Sequence, residues 1–202
     1  MHPSVSRRFC VLSLCTAFFI PGAFIAHAET EAERRAKAEK QTKMAAWILG
    51  SIHTRTALLL LAGGPNDPSL KHFKTTTDQA AAILGIDVKP MPAKFEKLAD
   101  AFAYLSSADD LIKQALTTKY SSAHAWLFTI AGIGTVFSLT YEPNDKRYRE
   151  QVATFKAKCE ELRLPSNLWI GFVSAVNEGK PREEVLRVWR EMDPAVAAYL
   201  AR

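Results

Sequence analysis

The stretch YREQVATFKAKCEELRLPSNLW, residues 148–169, decides the fold. Its apolar residues Tyr148, Val152, Phe155, Cys159 and Leu162 step by 4, 3, 4 and 3, the spacing that lines one face of an α-helix. Leu164-Pro165-Ser166 ends that helix and caps a next one, Leu168 to Val176, which Gly179 stops. Pro181 opens another, with Glu183 and Glu184 in the first turn, where the helix dipole favours carboxylates. Asp193-Pro194 repeats the start signal for a final few turns.

Working back from that seam, residues Ala125 to Tyr141 carry no charge, and Glu142-Pro143 breaks the run. Glycine inside a helix costs about 1 kcal/mol relative to alanine, so Gly132 and Gly134 mark a place where another backbone comes close. The run therefore reads as a buried central helix, with a membrane-packing face that includes Ser138 as the alternative. Phe95, Leu98, Ala99, Phe102 and Leu105 form one helical face, and Ser107 with Asp110 forms a capping box variant that starts a further helix through Leu116. Pro90 and Pro92 make Ile86 to Pro92 an extended connector. Asp67-Pro68 opens a helix that Gly85 ends, and Glu29 to Ala62 is one long helix stopped by Gly63-Gly64-Pro65. Its first half, Glu31 to Lys43, has almost no apolar stripe and reads as solvated. No alternating apolar and polar run suggests a sheet. The fold class is all-α: a charged segment over 29–43, then one bundle-like domain over 44–202, with seven to nine helices in all.

The two halves of that domain share a pattern. Ala46-Trp47 precedes Pro65-Asn66-Asp67 by an apolar helix, and Ala125-Trp126 precedes Pro143-Asn144-Asp145 in the same way. An internal duplication over 44–122 and 123–202 is one reading, and chance similarity of short helical segments is the other. Each Pro-Asn-Asp also has a plain local job as a turn that caps the next helix.

Residues 1–28 have the parts of a secretory signal: Arg7-Arg8, an uncharged core from Phe9 to Ile25, and Ala26-His27-Ala28 at the cleavage site. Ser6-Arg7-Arg8-Phe9 resembles a twin-arginine signal, but Cys10 stands where an apolar residue is usual. Leu12-Ser13-Leu14-Cys15 resembles a lipoprotein box, but Leu14 is too bulky for it. Removing 28 of 202 residues leaves 174, with 24 Lys and Arg against 21 Asp and Glu and no basic block, which makes nucleic acid a poor partner. Cys159 is then the one remaining thiol, so no intramolecular disulfide forms. The absence of any Asn-X-Ser/Thr acceptor favours a bacterial periplasm over a eukaryotic secretory route. Cleavage after Ala28 and a periplasmic or secreted destination are the expectations.

Candidate chemistry concentrates in Ser51 to Thr56, a polar band between Trp47-Ile48-Leu49 and Leu58 to Leu61. Arg55 shares a face with Ile48, Ile52 and Leu59 and needs an acid or a bound anion. Asp78, Glu142 and Glu178 are the candidate acids, and an anion or small-ligand pocket using His53 with Arg55 is the functional alternative. The histidines of the expected mature chain, His53, His72 and His124, have no metal-ligand spacing, and no metal or cofactor is expected. Cys159 sits in the seam between Phe155 and Leu162, where a small buried thiol is the ordinary explanation. No catalytic motif occurs. The leading expectation is an exported, non-enzymatic helical protein that binds a protein partner or an apolar small ligand. The alternatives are a hydrolase or lyase using His53, Arg55 and a carboxylate, and a membrane-associated component using 125–141. Trp47, Trp126, Phe155, Cys159, Leu162 and Trp169 are the expected core.

Overall fold

The computed structural model describes residues 29–202, so the segment 1–28, where a secretory signal is expected, lies outside the described residues. Among the described residues seven α-helices form: α1 (Glu31–Ala62), α2 (Ser69–Leu84), α3 (Leu98–Lys119), α4 (Ser122–Thr140), α5 (Lys146–Glu161), α6 (Ser166–Asn177) and α7 (Arg182–Leu200), with a 3-10 turn at Gly64–Asn66. There is no strand among the described residues. The chain is all-α.

Local signals set most of the boundaries. Thr30 and Glu33 close a capping box on α1, which starts at Glu31, two residues after the expected Glu29. Gly64 at φ 67° and Gly85 at φ 58° supply the left-handed turns after α1 and α2. Both Pro-Asn-Asp turns work alike: Asp67 Oδ1 accepts from the Ser69 amide at 2.8 Å, and Asp145 Oδ1 from the Arg147 amide at 2.9 Å. Residues 31–41 are exposed, as the charged composition of that half-helix requires.

Two expected breaks do not occur. Ser107 and Asp110 lie inside α3, because the buried row Ala101, Tyr104, Leu105, Ala108, Ile112 and Leu116 keeps helical spacing straight through the capping signal. Pro194 likewise lies inside α7, and Asp193 turns its carboxylate to α1 instead of capping a new helix. Phe95 belongs to the connector rather than to α3, where it packs on Tyr104 with ring centroids 5.5 Å apart.

α1 and α4 pack along each other at the centre, with α2, α3 and α7 around α1 and with α3, α5 and α7 around α4. Their approach is so close that a Cβ on Gly50 would overlap the Phe128 carbonyl group, at 2.8 Å from its carbon. Opposite it, a Cβ on Gly132 would stand 3.1 Å from Thr54 Oγ1, and one on Gly134 would collide with the buried ring of Trp189. Gly132 thus lies against the α1 backbone at Gly50, as expected, whereas Gly134 makes room for a side chain rather than for another backbone. Both α1 and α4 are long and apolar enough to cross a membrane, and 72% and 61% of their apolar windows are buried within the fold.

The core gathers Trp47, Phe155, Cys159, Trp169, Phe172 and Trp189, all buried. Two expected core residues are only half-buried. Trp126 faces the α5 side of the bundle under the Lys158 ammonium, 3.8 Å above its ring, and Leu162 is the residue that caps α5 as the chain turns away.

Candidate functional site

The polar band of α1 splits between two sides of the helix. At 3.6 residues per turn, His53 and Arg55 point about 200° apart, so they do not share a cavity. His53 has no exposed surface. Its Nε2 lies 3.4 Å from the Tyr104 hydroxyl and its Nδ1 3.5 Å from Asp109 Oδ1. Tyr104 donates its proton to the Lys89 carbonyl at 2.6 Å, which ties the proline connector to α3. Burial, helped by the Asp109 carboxylate, pushes the Tyr104 phenol up to about 12, so it remains a neutral donor. Above His53, a cavity of about 330 Å³ is walled by Leu60, Leu70, Val88 and Met91. In that wall Thr77 has a buried hydroxyl without a hydrogen-bond partner, although Thr75 and Thr76 beside it return theirs to Lys71 and His72.

Arg55 faces the other way. Its guanidinium lies 3.6 Å from Asp193 Oδ2 and 6.0 Å from the centre of the Phe73 ring. Of the three acids expected for it, Asp78, Glu142 and Glu178, none is the partner; the acid is Asp193, hidden from the sequence by reading Asp193-Pro194 as a helix start. Asp193 also accepts from Trp47 Nε1 at 2.8 Å and from Ser51 Oγ at 2.7 Å, and Thr135 donates to Ser51 at 3.2 Å. One carboxylate thereby joins α1, α4 and α7.

Around Arg55 runs a furrow with α1 as its floor and α2 and α7 as its banks. The floor residues proceed from Ile48 through Arg55 to Ala62, about 21 Å of helix. Both banks run antiparallel to the floor: Thr76, His72, Phe73 and Ser69 on α2, and Ala197, Asp193, Arg190, Leu186 and Arg182 on α7. Arg55 and Arg190 stand where its two chambers meet, of about 430 Å³ and 510 Å³. The larger chamber is walled by Leu58, Leu59, Leu61, Phe73, Leu139 and Leu186. Three arginines line it, Arg55, Arg182 and Arg190, and among the described residues no acid does. Arg182 donates to the Leu139 carbonyl, and Arg190 has no ion-pair partner among the described residues. The arginines of α7 were missed in the sequence, where the spacing Arg182, Leu186, Arg190 and Pro194 already marks one helical stripe.

The remaining candidates serve elsewhere. Cys159 is fully buried, and burial with the Glu160 carboxylate nearby pushes its thiol up to about 12, leaving it uncharged and unreactive. His124 joins the first half of α1 to the start of α4, through Thr42 at Nε2 and Ser121 at Nδ1, each at 3.0 Å. His72 lies in the smaller furrow chamber. Among the described residues no cluster of His, Cys, Asp and Glu could hold a metal ion.

The fold and the furrow together define an all-α bundle with a cationic, apolar-walled cleft on one side of its central helix. No protein-family model, curated protein or solved structure matches the chain.

Proposed function

We propose that this is an exported, non-catalytic binding protein whose ligand is an anionic amphiphile, a carboxylate head on an apolar tail, held in the furrow along α1. The observation that carries the reading is the lining of the larger chamber: three arginines and no acid against leucine and phenylalanine walls. Guanidinium groups pair with carboxylates through two parallel hydrogen bonds, and an apolar surround strengthens such pairs. The chamber volumes suit a small molecule, within the usual range of about 300–1,000 Å³, rather than a protein segment. Arg55 keeps Asp193 at its inner end, so Arg190 and Arg182 are the groups that would receive the carboxylate, while the leucines of α1 would cover the tail. Export rests on the leader reading and is checked by N-terminal sequencing of the secreted chain, which should begin at Glu29.

Titration of the chain 29–202 with a fluorescent long-chain fatty acid tests the ligand. We expect saturable binding that a long-chain alcohol does not displace and that the double variant Arg182→Ala/Arg190→Ala weakens by at least about tenfold, roughly one ion pair's worth. Binding unchanged in that double variant, with its melting temperature intact, would place the ligand elsewhere. No binding by the wild type would defeat the reading outright.

A further inference from the structure

We infer that a second groove, adjoining the furrow and lying between α3 and α5, is a site for an organic cation: an ammonium group carried on an apolar or aromatic body. This groove encloses about 450 Å³ over α4, with Thr54 of α1 in its floor, and Asp109 is the one charged residue in its lining. No Lys or Arg lines it among the described residues.

The carboxylate of Asp109 is divided between the bundle interior and the groove. Its Oδ1 is buried and has no hydrogen-bond partner, with His53 Nδ1 at 3.5 Å as its neighbour. The side chain is 27% exposed, so the rest of the carboxylate faces the groove. The lysine one turn further along α3 does not serve it, because Lys113 pairs with Asp110 at 2.7 Å instead. The part of the carboxylate open to the groove has no Lys or Arg beside it in the lining among the described residues, and a ligand that brings N–H groups and positive charge supplies charge-assisted hydrogen bonds there.

The surrounding surface suits the body of such a ligand. Phe102, two turns before Asp109 on the same face of α3, leaves 37% of its surface open, while Phe137 at the base of the groove is buried with its ring packed on Tyr148 and Phe172. The apolar or aromatic body of a ligand would lie on the open ring of Phe102 while its ammonium reaches Asp109. Ser106 and Gln151 add a hydroxyl and an amide carbonyl able to accept the remaining ammonium hydrogens. The furrow proposed for anions shares no lining residue with this groove, so variants at each site test them separately.

The probe is 2-phenylethylammonium, titrated into the chain 29–202 by calorimetry and by amide-resolved NMR, with 2-phenylethanol and 3-phenylpropanoate as neutral and anionic controls. We expect saturable shifts at the amides of Ser106, Asp109 and Gln151, and binding of the ammonium at least about tenfold tighter than of the alcohol, one ionic contact's worth. Asp109→Asn should erase that preference, Phe102→Ala should weaken the ammonium several-fold without touching the core, and Arg190→Ala should change nothing. If Asp109→Asn fails to fold, Phe102→Ala decides. Equal affinity for ammonium and alcohol, shifts that avoid the groove, or unchanged binding in a folded Asp109→Asn or Phe102→Ala variant overturns the inference.

Discussion

Replacing Asp193 by alanine removes the acceptor that three side chains of α1 share. Two of the lost contacts are hydrogen bonds to a carboxylate, from Trp47 Nε1 at 2.8 Å and from Ser51 Oγ at 2.7 Å, and bonds of this kind contribute about 1.5–3 kcal/mol each. The third is the Arg55 pair at 3.6 Å; with Arg55 30% exposed, solvent screening limits it to less than about 1 kcal/mol. Part of the loss is softened, because Trp47 Nε1 also reaches the Asp193 carbonyl at 3.2 Å, which the substitution leaves in place. The expected cost is therefore about 2–4 kcal/mol, a fall of about 5–15 °C in melting temperature for a domain of this size. Arg55→Ala should cost no more than about 1 kcal/mol, since Asp193 keeps both of its strong donors. Urea unfolding followed by tryptophan fluorescence measures both, with an unchanged slope showing that the compared states are the same. A loss below about 1 kcal/mol for Asp193→Ala, or an equal loss for Arg55→Ala, would refute the view that the carboxylate joins the helices mainly through Trp47 and Ser51.

Glycine substitutions should separate by position: Gly50→Ala forces α1 and α4 apart and should cost at least about 2–3 kcal/mol, whereas Gly171→Ala, with only Val188 at 3.8 Å, should gain up to about 1 kcal/mol of helix propensity. A tolerated Gly50→Ala in chemical denaturation would mean that the two central helices are further apart than described. Burial, with the Lys43 ammonium nearby, holds the His124 imidazole below its ordinary range, and Glu39 opposes this only in part. The unfolded chain then takes up the proton first, so this contribution to stability is full above about pH 6.5, declines below it, and levels off under the folded value. Denaturation between pH 7.5 and 5 should show a smaller decline for His124→Gln than for the wild type, and an equal decline would remove His124 as the cause.

Much of the architecture was legible in the chain itself, since the signals act within a few residues. The seam from Tyr148 to Cys159, the left-handed Gly85 and the two Asp caps after Pro-Asn depend only on helix period and local backbone chemistry. The opposed directions of His53 and Arg55 were present in the same period. What the sequence could not contain was which local signal would be overridden. Ser107 with Asp110 and Asp193 with Pro194 both look like helix starts, yet packing of α3 and α7 against the central helices carries each helix through. The partner of Arg55, the furrow beside it and the groove below Asp109 depend on segments far apart in the chain: Ser51 and Asp193 bond across 142 positions. Charge and spacing identify a residue that needs a partner, but contact between distant helices is set by how their whole surfaces fit, and that fit exists only once the bundle has closed.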